Sequence, residues 1–103
     1  MNTTQETIKT VLTELKAETR QSVLQFVSAE CYLKERGWVK FDYLYSAYKE
    51  WLKVTKNDAL PATKIEFEEH ISEIRSVKRV NSLWGDRVNG LNFKNNSYYK
   101  PKE

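Results

Sequence analysis

Apolar residues recur at helical spacing over the first third of the chain: Ile8, Leu12 and Leu15, then Val23, Phe26, Val27 and Cys31 after the polar gap KAETRQS. That period predicts helix from Thr3 to about Glu35. Thr3 stands three residues before Glu6, the spacing of a capping box. The polar gap is either an exposed turn of one long helix or a break between two. Arg36-Gly37 reads as the stop, with Gly37 suited to a left-handed cap. WVKF, from Trp38, is long enough only for a single strand rung. Helical period then resumes, with Leu44, Ala47, Tyr48 and Trp51 on one face and Tyr45 and Leu52 at its edge. The pattern runs down near Lys56, where turn formers collect. Thr63 and Glu66 repeat the capping-box spacing beyond Pro61, and Phe67, Ile71 and Ile74 form the buried row of a third helix.

After Ile74 the pattern changes. Val77, Val80, Val88, Leu91 and Phe93 flank a turn-rich centre from Asn81 to Asp86, which predicts a β-hairpin with a loop longer than two residues. NNSYYKPKE has no period and reads as a frayed tail. The expected order is helix, short strand, helix, helix, hairpin: an α+β, mostly helical chain. A helix-turn-helix followed by a hairpin, with an extra N-terminal helix, is the winged-helix arrangement. The short strand would join the hairpin sheet as its third strand. In that arrangement the third helix enters the major groove of DNA and the wing lies on the backbone or in the minor groove. The expected divisions are 1–18 as a helical extension, 19–94 as the winged-helix domain and 95–103 as a flexible tail.

Composition narrows the classes. At 103 residues, 40% apolar and 30% charged, the chain suits one domain with one modest core. No apolar run approaches the ~20 residues that span a bilayer, and the amino terminus lacks the pattern of a signal peptide. Membrane association is therefore not expected. Cys31 is the sole cysteine, so an intrachain disulfide is excluded and a reducing, cytoplasmic setting is expected. Residues 1–74 carry ten Lys/Arg against twelve Asp/Glu, and residues 75–103 carry seven against two. A basic end on a near-neutral body points to contact with a polyanion, or else to a solvated basic tail.

Several segments together resemble the C-terminal winged-helix domain of phage, plasmid and poxvirus-type primase–helicases, the superfamily-3 replication initiators. They are VLQFVSAECY, GWVKFDYLYSAYKEWLK, LPATKIEFEEHISEI and GLNF. Trp38-Val39 matches the family's aromatic-Val pair, and Leu44-Tyr45-Ser46-Ala47-Tyr48-Lys49-Glu50-Trp51 its Leu-Tyr-x-x-Tyr-x-x-Trp helix. Thr63 and Phe67 fall where the third helix opens, and Gly90-Leu91-Asn92-Phe93 where the wing closes. The likeness covers residues 19–94. Lys40 stands where the family places Ser or Pro as a cap, and the hairpin has fewer Arg and Gly than family wings. The resemblance implies a domain behind a ring-forming ATPase that helps the ring engage DNA. It also implies the helicase ATPase domain and other replication proteins as partners. Nothing of the ATPase is in this chain: Gly85 and Gly90 have P-loop spacing, but Leu91-Asn92 replaces the required Lys-Ser/Thr.

The candidate DNA contacts are Lys64 and Arg75 at the ends of the third helix, and Lys78, Arg79, Arg87, Asn89 and Lys94 on the hairpin and its exit. Trp84 near the hairpin tip is set either to stack on nucleic acid or to fold over the core. The third helix carries Glu68, Glu69 and Glu73, and carboxylates repel phosphate, so the wing is the preferred contact. The helical spacing of Tyr45, Tyr48 and Trp51 favours core over base stacking, while Tyr43 lies on the open side. His70 has no second histidine or cysteine nearby, so a partly buried helix histidine is expected, with no metal and no cofactor. Cys31 reads as a buried thiol on the helix face. No catalytic constellation can be assembled and the domain itself is not expected to be an enzyme. Two other classes remain: a protein-interaction module, with the acidic third helix meeting a basic partner, and a small stand-alone transcriptional regulator acting as a dimer.

Overall fold

A computed structural model describes residues 3–56, 59–83, 85–95, 97 and 99, with side chains from residue 17 onward. Among the described residues, three helices and a three-stranded antiparallel sheet follow in the order α1 (Thr3–Glu30), β1 (Cys31–Lys40), α2 (Phe41–Thr55), α3 (Lys64–Ser72), β2 (Lys78–Ser82) and β3 (Gly85–Phe93). The sheet order is β1-β3-β2, so the strand before α2 does complete the hairpin sheet. The architecture is α+β and consistent with a helix-turn-helix followed by a β-hairpin. Among the described residues no helix is long and apolar enough to cross a membrane.

The polar gap in the first segment lies inside one continuous helix, with Ala17, Glu18, Arg20 and Gln21 exposed as a turn of one long helix would have them. Thr19 and Ser22 are buried there. The Ser22 hydroxyl donates to the Thr19 carbonyl at 2.8 Å and shares a second 2.8 Å hydrogen bond with the Tyr48 hydroxyl of α2. Among the described residues of the gap, Thr19 and Ser22 alone thus form an interface, and burial without loss of hydrogen bonding is what makes Ser22 tolerable there.

The end of α1 departs from the expectation of helix to Glu35. Cys31, Tyr32 and Leu33 pair with Phe93, Asn92 and Leu91 of β3, and Cys31 opens a strand where a helix face was expected. A ladder offered by a distant strand outweighs a few tenths of a kcal/mol of helix propensity per residue. The last carbonyls of α1 are met from the far end of β3. Lys94 donates its backbone N–H to Glu30 at 2.9 Å and its ammonium to the Ser28 carbonyl at 2.8 Å. A cation at a helix C-terminus also opposes the negative end of the dipole.

β1 is longer than one rung, and it is interrupted. Leu33 pairs with Leu91 and Trp38 with Asn89, so Lys34–Gly37 loop out opposite Gly90 alone. The left-handed residue in this bulge is Arg36 (φ 66°), where Gly37 was expected. Gly37 serves a different need, since a Cβ there would lie 2.9 Å from the Lys34 Cβ. Gly90 has φ +96°, and a Cβ on it would stand 2.0 Å from the Ser76 carbonyl oxygen. That conformation resets the in–out alternation of β3, so Val88, Leu91 and Phe93 are all buried despite their uneven spacing.

α2 buries the predicted row and its edge: Leu44, Tyr45, Ala47, Tyr48, Trp51 and Leu52, with Phe41 added at its start. Lys40 makes no side-chain cap. Phe26, Phe41, Tyr45, Tyr48, Trp51 and Phe67 meet in mostly edge-to-face contacts with centroids 5.0–6.4 Å apart. Two α2 hydroxyls also hold the connection to α3. Tyr45 donates to the Ala62 carbonyl at 2.8 Å, and the Ala62 N–H donates to Tyr48 at 3.0 Å. The capping box at Thr63 and Glu66 then starts α3. Phe67 and Ile71 are buried, while Ile74 is half-buried in the turn beyond the helix.

The hairpin is tighter than expected. Ser82 pairs with Gly85, which leaves two positions in the loop where a longer one was predicted. Full pairing of β2 with β3 uses up residues that read as turn formers. Val80 is only half-buried, and pairs with Arg87 on the side of the sheet away from the helices. Among the described residues of the expected tail, Ser97 donates its hydroxyl to Glu30 at 2.7 Å and Tyr99 packs on the core; residues 96, 98 and 100–103 lie outside the described residues.

Candidate nucleic-acid interface

Strand register sorts the predicted contacts onto two faces. Val39, Val88 and Arg79 lie in one row and face the helices. The rows on either side face away from them: Trp38, Asn89 and Lys78 in one, and Lys40, Arg87 and Val80 in the other. Adjacent Lys78 and Arg79 therefore have opposite surroundings, because successive strand side chains alternate.

Arg79 belongs to the fold, although it was expected to meet DNA. Its Nε and Nη2 donate to the two carboxylate oxygens of Asp86 at 2.8 and 2.5 Å, and its Nη1 donates to Glu68 on α3 at 2.8 Å. The guanidinium carbon lies 3.9 Å from the Phe41 ring centroid. Hydrogen bonding from Arg79 holds the Asp86 carboxyl below the usual carboxylate range, against the opposing effect of burial. The same hydrogen bond to Asp86 raises the Arg79 pKa and keeps the guanidinium charged. Lys94 likewise serves the end of α1. Lys64 is exposed and faces Asp42 at 3.6 Å, a distance and exposure at which an ion pair contributes little. Trp84 lies outside the described residues.

Two of the predicted cations, Arg75 and Arg87, gather with others that the sequence reading did not select. A cleft of about 740 Å³ runs between the β1 bulge and the turn after α3. Lys34, Arg36, Arg75 and Arg87 line it against one carboxylate, Glu35, with Asn89 and Trp38 at its wall. A second cleft of about 450 Å³ adjoins it, lined by Trp38, Lys40, Tyr43 and Arg87. Of its two carboxylates, Asp86 is engaged by Arg79, while Asp42 is exposed and only loosely faced by Lys64. Trp38 and Tyr43 are each 50% exposed. Each also has a cation at its ring: the Arg87 guanidinium is 5.6 Å from the Trp38 centroid, and the Lys40 ammonium is 5.1 Å from the Tyr43 centroid.

Lys34 and Arg36 were passed over because they read as the end of a helix and its stop, and Trp38 and Lys40 because WVKF read as a single strand rung. One signal was available in Trp38-Val39-Lys40-Phe41. If Val39 and Phe41 enter the core of a strand, Trp38 and Lys40 must leave it. The bulge cations carried no such signal, because their position depends on a partner strand some fifty residues later.

The exposed surface of α3 differs in charge. Glu66 is held in the capping box, Glu68 by Arg79 and Glu73 by Arg20 at 2.7 Å. Glu69 is exposed beside them. His70 is buried, as expected for a helix histidine, with its Nε2 3.5 Å from the Thr19 hydroxyl. Burial, reinforced by Glu30, pushes the Cys31 thiol up to about 12, which leaves it protonated and unreactive at neutral pH. Comparison with known proteins returned no matching family model, curated protein or solved structure.

Proposed function

We propose that this chain is a winged helix-turn-helix domain that binds DNA through the outer face of its hairpin sheet. We assign it to a replication initiator of the primase–helicase type, from a phage or other mobile element. The carrying observation is the convergence of Lys34, Arg36, Arg75 and Arg87 on one cleft, continuous with Lys40 and Lys78 on the outer sheet face. The order of elements and the β1-β3-β2 sheet support the winged-helix reading. The resemblance of residues 19–94 supports the replication setting. The hairpin is the contacting element because α3 presents carboxylates where a groove-reading helix needs donors and cations.

Fluorescence anisotropy with labelled DNA tests this reading. If three phosphates are neutralised, affinity falls about 40-fold between 50 and 200 mM salt. A triple change of Arg75, Lys78 and Arg87 to Ala weakens binding and flattens that slope. Absence of binding at low salt, or binding indifferent to the triple change, refutes the proposal.

A second reading, docking of a protein such as a neighbouring ATPase domain, is favoured by a different surface. Leu60 and Ile65 are 69% and 70% exposed at the start of acidic α3. Exposed apolar side chains beside like charges suit a partner with a basic rim. On this reading Leu60→Ser with Ile65→Ser abolishes docking and leaves DNA affinity unchanged.

A further inference from the structure

Resting on the nucleic-acid reading above, we infer that the cleft between Trp38 and Tyr43 takes single-stranded DNA, with unpaired bases stacked on the two rings. Three observations carry it.

The first is the exposure of the rings. A tryptophan and a tyrosine, each half-exposed, line one cleft from two elements, β1 and the first turn of α2. The other α2 aromatics, Phe41, Tyr45, Tyr48 and Trp51, are buried. Leaving two large rings in water forgoes burial that the neighbouring positions achieve.

The second is the placement of charge. Arg87 stands at Trp38 and Lys40 at Tyr43; of the two lining carboxylates, Asp86 is taken up by Arg79 and Asp42 is exposed and only loosely faced by Lys64. The cleft thus alternates ring and cation, which suits a strand that alternates base and phosphate. Arg87 also lines the larger basic cleft, so a backbone leaving the rings passes directly among Arg36, Arg75 and Lys34.

The third is the choice between one strand and two. Bases inside a duplex already stack on each other and offer a face to a protein ring only when a step is unstacked, which itself costs free energy. A duplex is instead read by an element that enters a groove, and α3, the helix that would do so, is acidic on its exposed surface. Exposed rings on a basic sheet gain stacking energy from unpaired bases, and that gain does not depend on which base is presented.

The test uses the full chain with labelled probes of equal length at low salt: oligo(dT), oligo(U) and a mixed-sequence duplex. Wild type is expected to bind oligo(dT) at least about tenfold more tightly than duplex. Trp38→Ala lowers oligo(dT) affinity by about five- to 150-fold, the equivalent of the ~1–3 kcal/mol that one base stack supplies, and changes duplex affinity less than about twofold. Tyr43→Ala acts in the same direction, and Trp38→Phe restores most of the loss. Each ring is also half-buried, so a thermal melt of each variant, with Trp38→Phe as the conservative control, separates lost stacking from lost stability. Equal affinity of wild type for strand and duplex overturns the inference. So does a Trp38→Ala variant that loses both probes alike or neither, and in both cases DNA binding itself stands. Oligo(U) bound about tenfold tighter than oligo(dT) overturns the assignment to DNA. Binding of none of the probes removes this inference and the proposed function together.

Discussion

Replacing Arg79 by Met separates the two roles that basic residues take on this hairpin. The change removes three charged hydrogen bonds, two to Asp86 and one to Glu68, and keeps much of the aliphatic cover over Phe41. Breaking a fully buried ion pair costs about 3–5 kcal/mol, and breaking an exposed one about 0.2–1 kcal/mol. The Arg79 and Asp86 side chains are both 23% exposed, which sets their bidentate pair between those limits but nearer the buried one. The more open Glu68 contact and the lost ring contact each add a fraction of a kcal/mol. The expected loss is about 3 kcal/mol, or about 12–24 °C in the melting temperature of a domain this size. Urea denaturation followed by circular dichroism measures it. A cycle with Asp86→Asn should return a coupling of about 1.5–3 kcal/mol. Lys78→Met, one residue earlier on the outer face, should change stability by less than about 0.5 kcal/mol while weakening DNA binding. An Arg79→Met protein as stable as wild type, or one that keeps its stability and loses DNA affinity, would refute the division of faces.

Other outcomes follow from single residues. Asp86 has a folded pKa below its unfolded value, so its stabilising effect is present above about pH 4 and is lost as pH falls through the folded pKa. The acid limb of the stability profile should therefore be shallower in Asp86→Asn than in wild type. Gly90→Ala should lose more than about 3 kcal/mol, because its Cβ meets the Ser76 carbonyl. Gly85→Ala, at φ +121° with nothing within 4 Å, should lose only the backbone strain of about 1–2 kcal/mol. Urea melts of the two alanine variants check this order. Cys31, with its thiolate at about one part in 10⁴ at pH 8, should react with a disulfide reagent only at the rate of unfolding. Rapid native-state labelling would place it elsewhere than in the core.

The helical half of the molecule was legible because its signals are local. The spacing from Leu44 to Trp51 and the Thr63–Glu66 box are complete within a few turns of chain, and each element formed where they stand. The sheet was legible in outline and not in register. Cys31–Leu33 read as helix because their partners, Leu91–Phe93, lie sixty residues away. Arg79 read as a phosphate contact because nothing near it in the chain tells which of Lys78 and Arg79 turns inward. That is decided by the row of Val88 and by the waiting carboxylates of Asp86 and Glu68. The candidate site suffered most. Its cations come from the bulge, the turn after α3 and β3, three places joined only by the fold.

The bulge in β1 has a consequence for how the domain can vary. Pairing is fixed on both sides of it, from Cys31 to Leu33 and from Trp38 to Lys40, while Lys34–Gly37 stand opposite the single residue Gly90. Length there is uncoupled from register, so residues can be added, or exchanged at positions other than left-handed Arg36 and crowded Gly37, without moving a core side chain. The segment is thus a cassette at the mouth of the basic cleft. Grafting loops of different charge into it offers a way to retune affinity on an unchanged scaffold.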